Sequence, residues 1–176
     1  MSLLLLMGLT VSAATPPSGP GVGDDALLFS LPALNEEVAI EMVRNDHVSL
    51  GELTGPGAGY PTTAVVVYFF SRVEGSDGLD VLSRCERKFG KSDVRFIAIA
   101  SDEGDTVALT QWVSKQKFTF PVLRDNHRIV SGRYGVQTLP LSYIIDGDGR
   151  IHAIGAPSPD ELEAEIEASL GALLVD

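Results

Sequence analysis

Two long apolar runs with an amphipathic segment between them constrain the fold of this chain more than any other feature. Residues 63–70 (TAVVVYFF) and 94–100 (VRFIAIA) are rich in β-branched and aromatic side chains. Such continuous runs are typical of strands that are buried on both faces of a sheet. In residues 77–89 and 105–117, by contrast, the apolar positions fall on one face of a helix. Buried strands that alternate with helices predict a parallel core.

The last third of the sequence predicts a hairpin and a closing helix. Residues 141–145 and 150–154 are strand-like and flank an Asp-Gly-Asp-Gly segment, whose Asp-Gly steps favour a tight turn. Ser158, followed by Pro159 and Glu161, is typical of a helix start with a capping box. The hairpin adds antiparallel strands to the parallel core. We therefore predict an α/β fold with a mixed central β-sheet and helices on both faces.

The chain is acidic and contains a single cysteine. Thirteen Lys and Arg residues stand against 24 Asp and Glu residues, for a formal net charge of −11. This charge repels phosphate, so we expect no nucleic-acid partner. Because Cys85 is the only cysteine, an intramolecular disulfide and a dithiol–disulfide cycle within one chain are excluded. The three histidines, His47, His127 and His152, lack the spacing of zinc ligands, and we expect neither a metal nor a cofactor.

The first residues resemble an export signal. Residues 3–11 form a short Leu-rich run, and small residues at 12–14 fit a cleavage position, although no Lys or Arg precedes the run. The run is too short to span a bilayer as a helix. We predict a signal peptide at 1–14, a Pro/Gly-rich linker at 15–23, a folded domain at 24–176, and a periplasmic or secreted location. The alternative is an unstructured apolar tail.

From residue 94 to residue 151 the sequence resembles the thioredoxin-fold redoxins. The order and spacing of VRFIAIASDEG, FTFPVLRD, YGVQTLPLSYIID and GDGRI carry this resemblance. TlpA-like thiol–disulfide oxidoreductases are the most similar branch, followed by AhpC/TSA peroxiredoxins. Upstream, residues 29–31 and 48–55 are similar to that branch's lead-in to the first central strand, so the resemblance covers roughly residues 23–171. It implies a thioredoxin-like fold.

The chain departs from these redoxins where they carry their chemistry. They place Trp-Cys-x-x-Cys at the entry to the helix after the first central strand, whereas Glu74 and Asp77 stand at the two cysteine positions here. The backbone N–H groups of a first helical turn stabilise a thiolate. They stabilise a carboxylate equally, but a carboxylate cannot exchange disulfides. Asp77 or Ser76 can also cap the helix, and Glu74, Asp77 and Asp80 offer too few oxygens for a hard cation.

Cys85 lies about two turns inside the predicted helix, on the apolar face with Leu82 and Phe89. A free cysteine in this setting usually packs as a small apolar side chain. The alternative is a displaced catalytic thiol, which would require exposure and a lowered pKa.

Pro140, in the sequence Thr138-Leu139-Pro140-Leu141, matches the proline that is cis in these redoxins. The alternative is an ordinary trans proline at the start of an edge strand. The resemblance implies that the backbone of Leu139 flanks a groove in which an extended peptide or protein partner pairs. Two functions follow as alternatives. The first is an exported, redox-inactive redoxin that is retained as a binding or scaffold domain. The second is an active thiol–disulfide oxidoreductase or peroxiredoxin-like antioxidant enzyme that uses Cys85.

Overall fold

The elements of the structure follow the predicted order of strands and helices. A computed structural model describes residues 19–155 and 158–174. The predicted signal peptide, 1–14, lies outside the described residues, as do residues 15–18 of the predicted linker. The strands are β1 (Ser30–Pro32), β2 (His47–Ser49), β3 (Ala64–Phe70), β4 (Val94–Ala100), β5 (Val122–Arg124), β6 (Leu141–Asp146) and β7 (Ile151–Gly155). The α-helices are α1 (Glu36–Val43), α2 (Leu50–Leu53), α3 (Gly78–Phe89), α4 (Thr106–Gln116), α5 (Ile129–Arg133) and α6 (Pro159–Leu173), and short 3-10 helices cover Gly90–Ser92 and Asn126–Arg128.

A mixed sheet of five strands forms the centre of the fold, in the order β5-β4-β3-β6-β7. Strand β3 pairs in parallel with β4 from Ala64↔Val94 to Phe70↔Ala100, and β4 pairs in parallel with β5. Strands β6 and β7 are antiparallel to their neighbours. The parallel pair, the hairpin and the mixed sheet predicted from the sequence are therefore confirmed. A separate pair, β1 and β2, is antiparallel.

The two faces of the sheet are covered by different helices. Alternate side chains of β3 point to opposite faces. Val66 and Phe70 pack in one apolar cluster with residues of α3, α4 and α6, including Leu82. Val65 and Phe69 pack in the second cluster with residues of α1, α2 and α5. All seven residues of β3 are fully buried, which explains why its sequence shows no polar alternation.

Several short elements were not predicted, namely β1, β2, β5, α1, α2 and α5. Three-residue strands are too short for a readable alternation, and tertiary contacts place them instead. The buried side chain of Asn35 donates to the Phe120 carbonyl at 2.9 Å and accepts from the Val122 N–H at 2.8 Å, which ties the start of α1 to β5. No helix of the described ranges is both long and apolar enough to cross a membrane.

Two local features differ in detail from their prediction. Ser158 occupies the N-cap of α6, but its hydroxyl donates to the Glu161 carboxylate at 3.2 Å rather than bonding a backbone N–H. Its carbonyl accepts the N–H groups of Glu161 and Leu162 instead. Within the predicted linker, the Gly23 N–H donates to the Ile151 carbonyl at 2.8 Å. The end of that segment is thus attached to β7, because an edge strand leaves a carbonyl available for pairing.

Candidate functional site

The carboxyl ends of β3, β4 and β5 meet at one edge of the sheet, because the three strands are parallel. Strand β6 begins at the same edge, since it is antiparallel to β3 and Leu141 pairs with Phe69. Ligands of open α/β sheets bind outside the carboxyl ends of the strands. We call the surface formed by residues 71–77, 101–107 and 137–140 the carboxyl edge. It contains Glu74, Asp77, Leu139 and Pro140, the residues that the resemblance singles out.

The loop between β3 and α3 is held by hydrogen bonds within itself. The Ser71 N–H donates to the Glu74 carbonyl at 2.8 Å, and the Glu74 N–H donates to the Ser71 hydroxyl at 3.0 Å. The Ser76 hydroxyl donates to the Arg72 carbonyl at 3.1 Å. These bonds close a tight turn in which the Glu74 side chain is exposed. A carboxylate is therefore presented to solvent at the entry to the helix.

Asp77, one of the two residues predicted to cap this helix, is the N-cap of α3. Its carboxylate accepts the Gly78 N–H at 3.1 Å, and the same N–H also donates to the Gly75 carbonyl at 3.1 Å. The Leu79 N–H donates to the Ser76 carbonyl at 3.3 Å. The first N–H groups of the helix, which would stabilise a thiolate, thus already have oxygen partners. No cluster of three or more metal-ligating side chains occurs among residues 19–155 and 158–174.

The helix-entry loop packs directly against the proline loop. The Leu139–Pro140 peptide bond is cis, as the resemblance implied. Gly75 has a φ of +84°, and a Cβ added there would lie 2.6 Å from the Pro140 Cβ. On the inner side, the Tyr68 hydroxyl donates to the Gly75 carbonyl at 2.9 Å. Burial, followed by the nearby Asp77 carboxylate, raises the pKa of Tyr68. The structure thus brings the segment of Glu74 and Asp77 into contact with Pro140.

Leu139 lies just beyond the end of a strand ladder. The pairing of β3 with β6 ends at Phe69↔Leu141, so Leu139 and Pro140 continue the line of β6 outside that register. The Leu139 side chain packs on the apolar cluster that contains Phe69, whereas its neighbour Thr138 is exposed. The backbone at Leu139 therefore lies outside the pairing of β3 with β6, next to an exposed residue.

An ion pair that the sequence analysis missed joins two loops of the carboxyl edge. The Asp102 carboxylate accepts the backbone N–H of Arg72 at 3.1 and 3.2 Å and the Arg72 Nε at 3.0 Å. Arg124, only 4% exposed, donates to the carbonyls of Asp102 and Gly104 and so supports the same loop from below. An arginine that ends the apolar run FPVLR was the sequence signal for this buried cation.

The structure does not bring Cys85 to the carboxyl edge. It lies in α3, eight residues after Asp77, and at 1.5 Å per residue this is about 12 Å along the helix axis. Its side chain is 1% exposed and packs in the cluster that contains Leu82. Burial, with smaller contributions from Glu163 and Glu167, raises the pKa of the Cys85 thiol from 9.0 to about 11.

A mixed five-stranded sheet with helices on both faces, a proline loop against the helix entry and three parallel carboxyl ends define a thioredoxin-like fold. Residues 22–154 match the family model described as the AhpC/TSA family. This chain belongs to that family, and its predicted membership in the redoxin superfamily is confirmed.

Relatives and solved structures agree with this membership. The thiol-disulfide oxidoreductase ResA of Bacillus anthracis is 34% identical over 82 residues, which cover 46% of this chain and 47% of ResA. The match thus spans about half the length of that relative. The solved structure of a putative thiol:disulfide interchange protein DsbE from Chlorobium tepidum has a TM-score of 0.71 and 21% identity, over 89% of this chain and 99% of that one. Peroxidoxin BcpB from Mycobacterium tuberculosis has a TM-score of 0.66 and 17% identity, over 87% and 97% of the two chains. At these identities the two structures establish the fold alone.

Proposed function

We propose that this chain is a redox-inactive member of the AhpC/TSA family, retained as a binding or scaffold domain for an extended peptide or protein partner at Leu139 and Pro140. The observation that carries the proposal is the state of the only cysteine in the sequence. Cys85 is buried in α3, while the helix entry holds the carboxylates of Glu74 and Asp77.

The chemistry of the relatives requires a reactive thiolate. Disulfide exchange by a family member needs one sulfur to attack and a second to resolve the mixed disulfide. Attack on a peroxide also needs an accessible thiolate with a low pKa. A buried Cys85 thiol with a pKa of about 11 is almost wholly protonated near neutral pH. These properties argue against the alternative that Cys85 is a displaced catalytic residue.

The binding role is supported by what remains at the carboxyl edge. Gly75 lies against Pro140, so the helix-entry loop would form one wall of the proposed groove beside Leu139. Leu139 continues the line of β6 beyond its ladder with β3, where an extended segment can pair with backbone groups. Loss of the thiols removes electron transfer but leaves these features in place.

We also propose that the chain is exported. The Leu-rich run at 3–11 and the small residues at 12–14 support this proposal. The processed protein is then expected to begin near Ala14 or Thr15. Sequencing the amino terminus of the protein from its native cell tests the expectation, and an intact residue 1 on protein from the cytoplasm would contradict it.

The loss of redox activity is tested by two assays on the purified full chain. We expect negligible dithiothreitol-dependent reduction of insulin and negligible consumption of hydrogen peroxide. A two-cysteine thioredoxin is the positive control for insulin reduction and an active peroxiredoxin is the one for peroxide consumption, and the Cys85→Ser variant defines the background. Turnover well above that of the Cys85→Ser variant would contradict the proposal and assign activity to Cys85.

A further inference from the structure

The carboxyl edge carries an unusual combination of exposed apolar side chains and carboxylates. From these we infer that the partner at Leu139 and Pro140 is an extended polypeptide segment in which Lys or Arg residues flank an apolar side chain. This inference rests on the proposed binding function and adds the chemical class of the partner.

The apolar contribution comes from two valines. Val73, in the helix-entry loop, is 91% exposed, and Val107, in the first turn of α4, is 64% exposed. The Arg72–Asp102 ion pair joins the helix-entry loop to the loop that precedes α4. Val73 lies two residues before Gly75, in the same loop that packs on Pro140. An apolar side chain of a bound segment would cover surface that is otherwise left in water.

The charge at this edge is mainly negative. Residues 71–77 and 101–107 contain five carboxylates and a single cation, Arg72, which is paired with Asp102. The other four carboxylates belong to exposed residues: Glu74, Asp77, Glu103 and Asp105. Residues 134–140 contain no charged side chain. A segment that pairs beside Leu139 therefore approaches an anionic surface, and positive flanks on that segment would be complementary to it.

Cations near the edge offset this charge only in part. The Arg128 guanidinium donates to the Val136 carbonyl at 3.4 Å, three residues before Leu139, and so lies close to the proline loop. Arg133 donates to the Leu28 carbonyl at 3.1 Å. Arg84, further along α3, is paired with Glu163 at 2.9 Å. Arg124 is buried beneath the loop at 102–104. In the segments of the carboxyl edge, carboxylates thus outnumber cations.

Three labelled synthetic peptides test the inference on the full chain. They share one apolar centre and differ only in flanks of Lys and Arg, of Ser and Thr, or of Glu. Fluorescence anisotropy measures each Kd at low and at high salt. At low salt we expect the cationic peptide to bind about tenfold more tightly than the neutral one, and the difference to shrink at high salt because ions screen exposed charges.

Matched variants distinguish the effect of carboxylates at the carboxyl edge from the effect of the protein's overall negative charge. The Glu74→Gln/Glu103→Gln variant should weaken the cationic peptide by about three- to tenfold, which is the range for two exposed charge pairs, and leave the neutral peptide unchanged. The control is Glu37→Gln/Glu41→Gln, with the same change of net charge. Glu41 lies beside Gly90 and Arg95, at the opposite end of β4, so this control should change the Kd by less than about twofold.

A second pair of variants tests the apolar contact. Val73→Ser should weaken both the cationic and the neutral peptide, whereas Val22→Ser, at a valine that is 65% exposed in the amino-terminal segment, should weaken neither. Neither side chain is part of the core, so both variants should fold.

The outcomes distinguish the inference from the proposed function. Equal affinity for the cationic and neutral peptides, or an equal effect of the two Gln variants, would contradict the inference that the partner is cationic. Neither result would contradict the proposed binding function. Binding of none of the three peptides would overturn the docking function itself. Binding with the expected charge order, lost in the edge variants alone, would support both.

Discussion

Replacing Gly75 with alanine should destabilise the protein more than the same change at a comparable glycine, because a Cβ at residue 75 has no room. Gly75 has a φ of +84°, in the left-handed region, and its added Cβ would lie 2.6 Å from the Pro140 Cβ. Two carbon atoms normally rest about 3.5–4.0 Å apart. The proline loop or the helix-entry loop would therefore have to move.

The size of the effect can be worked out from two contributions. An L-residue held at positive φ costs about 1–2 kcal/mol. Overpacking against a neighbouring side chain adds about 1–3 kcal/mol. Gly75→Ala should thus lower the free energy of unfolding by about 2–5 kcal/mol. Gly104→Ala is the matched control, because Gly104 has a φ of +102° and nothing lies within 4 Å of an added Cβ. It should cost about 1–2 kcal/mol, from the backbone contribution alone.

Urea unfolding followed by circular dichroism measures both variants. At an m-value near 2 kcal/mol/M, the extra loss in Gly75→Ala corresponds to a midpoint about 0.5–1.5 M lower than that of Gly104→Ala. Equal midpoints for the two variants would refute the packing of the helix-entry loop on Pro140. The assignment of Glu74 and Asp77 to one wall of the groove would then fail as well.

Three further predictions concern the thiol, the ion pair and the helix entry. Burial raises the pKa of the folded Cys85 thiol to about 11, so ionisation of this thiol favours the unfolded chain at high pH. The free energy of unfolding of the native chain, relative to that of Cys85→Ser, should be constant below pH 9 and should decrease as the pH rises toward 11. A relative free energy of unfolding that does not change with pH, measured by urea unfolding, would contradict this. Asp102→Ala should lower the free energy of unfolding by about 1–3 kcal/mol, since Arg72 loses its charged partner, and an unchanged urea midpoint would argue against the pair. The Glu74→Cys/Asp77→Cys variant should form a disulfide on oxidation, detected by mass spectrometry; persistent free thiols would show that these positions lack the geometry of the relatives' cysteines.

Much of the fold was predictable because its main elements are long and strongly patterned. The run at 63–70 corresponds to β3, and the pairing of β3 with β4 follows from burial on both faces. The hairpin strands differ from their predicted ends by a single residue. The short elements were not predictable, since β1, β2 and β5 have three residues each and depend on partners distant in sequence.

The candidate site was predictable only in part. The sequence by itself determined that no pair of cysteines exists, that carboxylates stand at the helix entry and that a proline precedes β6. These are properties of residue identity and local order, which a sequence states directly.

The tertiary structure alone decided which of these residues meet. Gly75 contacts Pro140 across 65 positions of sequence, and Arg72 pairs with Asp102 across 30. It also decided that Arg124 supports the loop above it, whereas the burial of Cys85 was predicted from its position on the apolar face of the helix and is confirmed. Neither contact has a local signature, because each depends on strands from different parts of the chain ending at the same edge of one sheet. The strands share that edge because β5, β4 and β3 run parallel to one another. Side chains that are far apart in the sequence therefore lie on one surface.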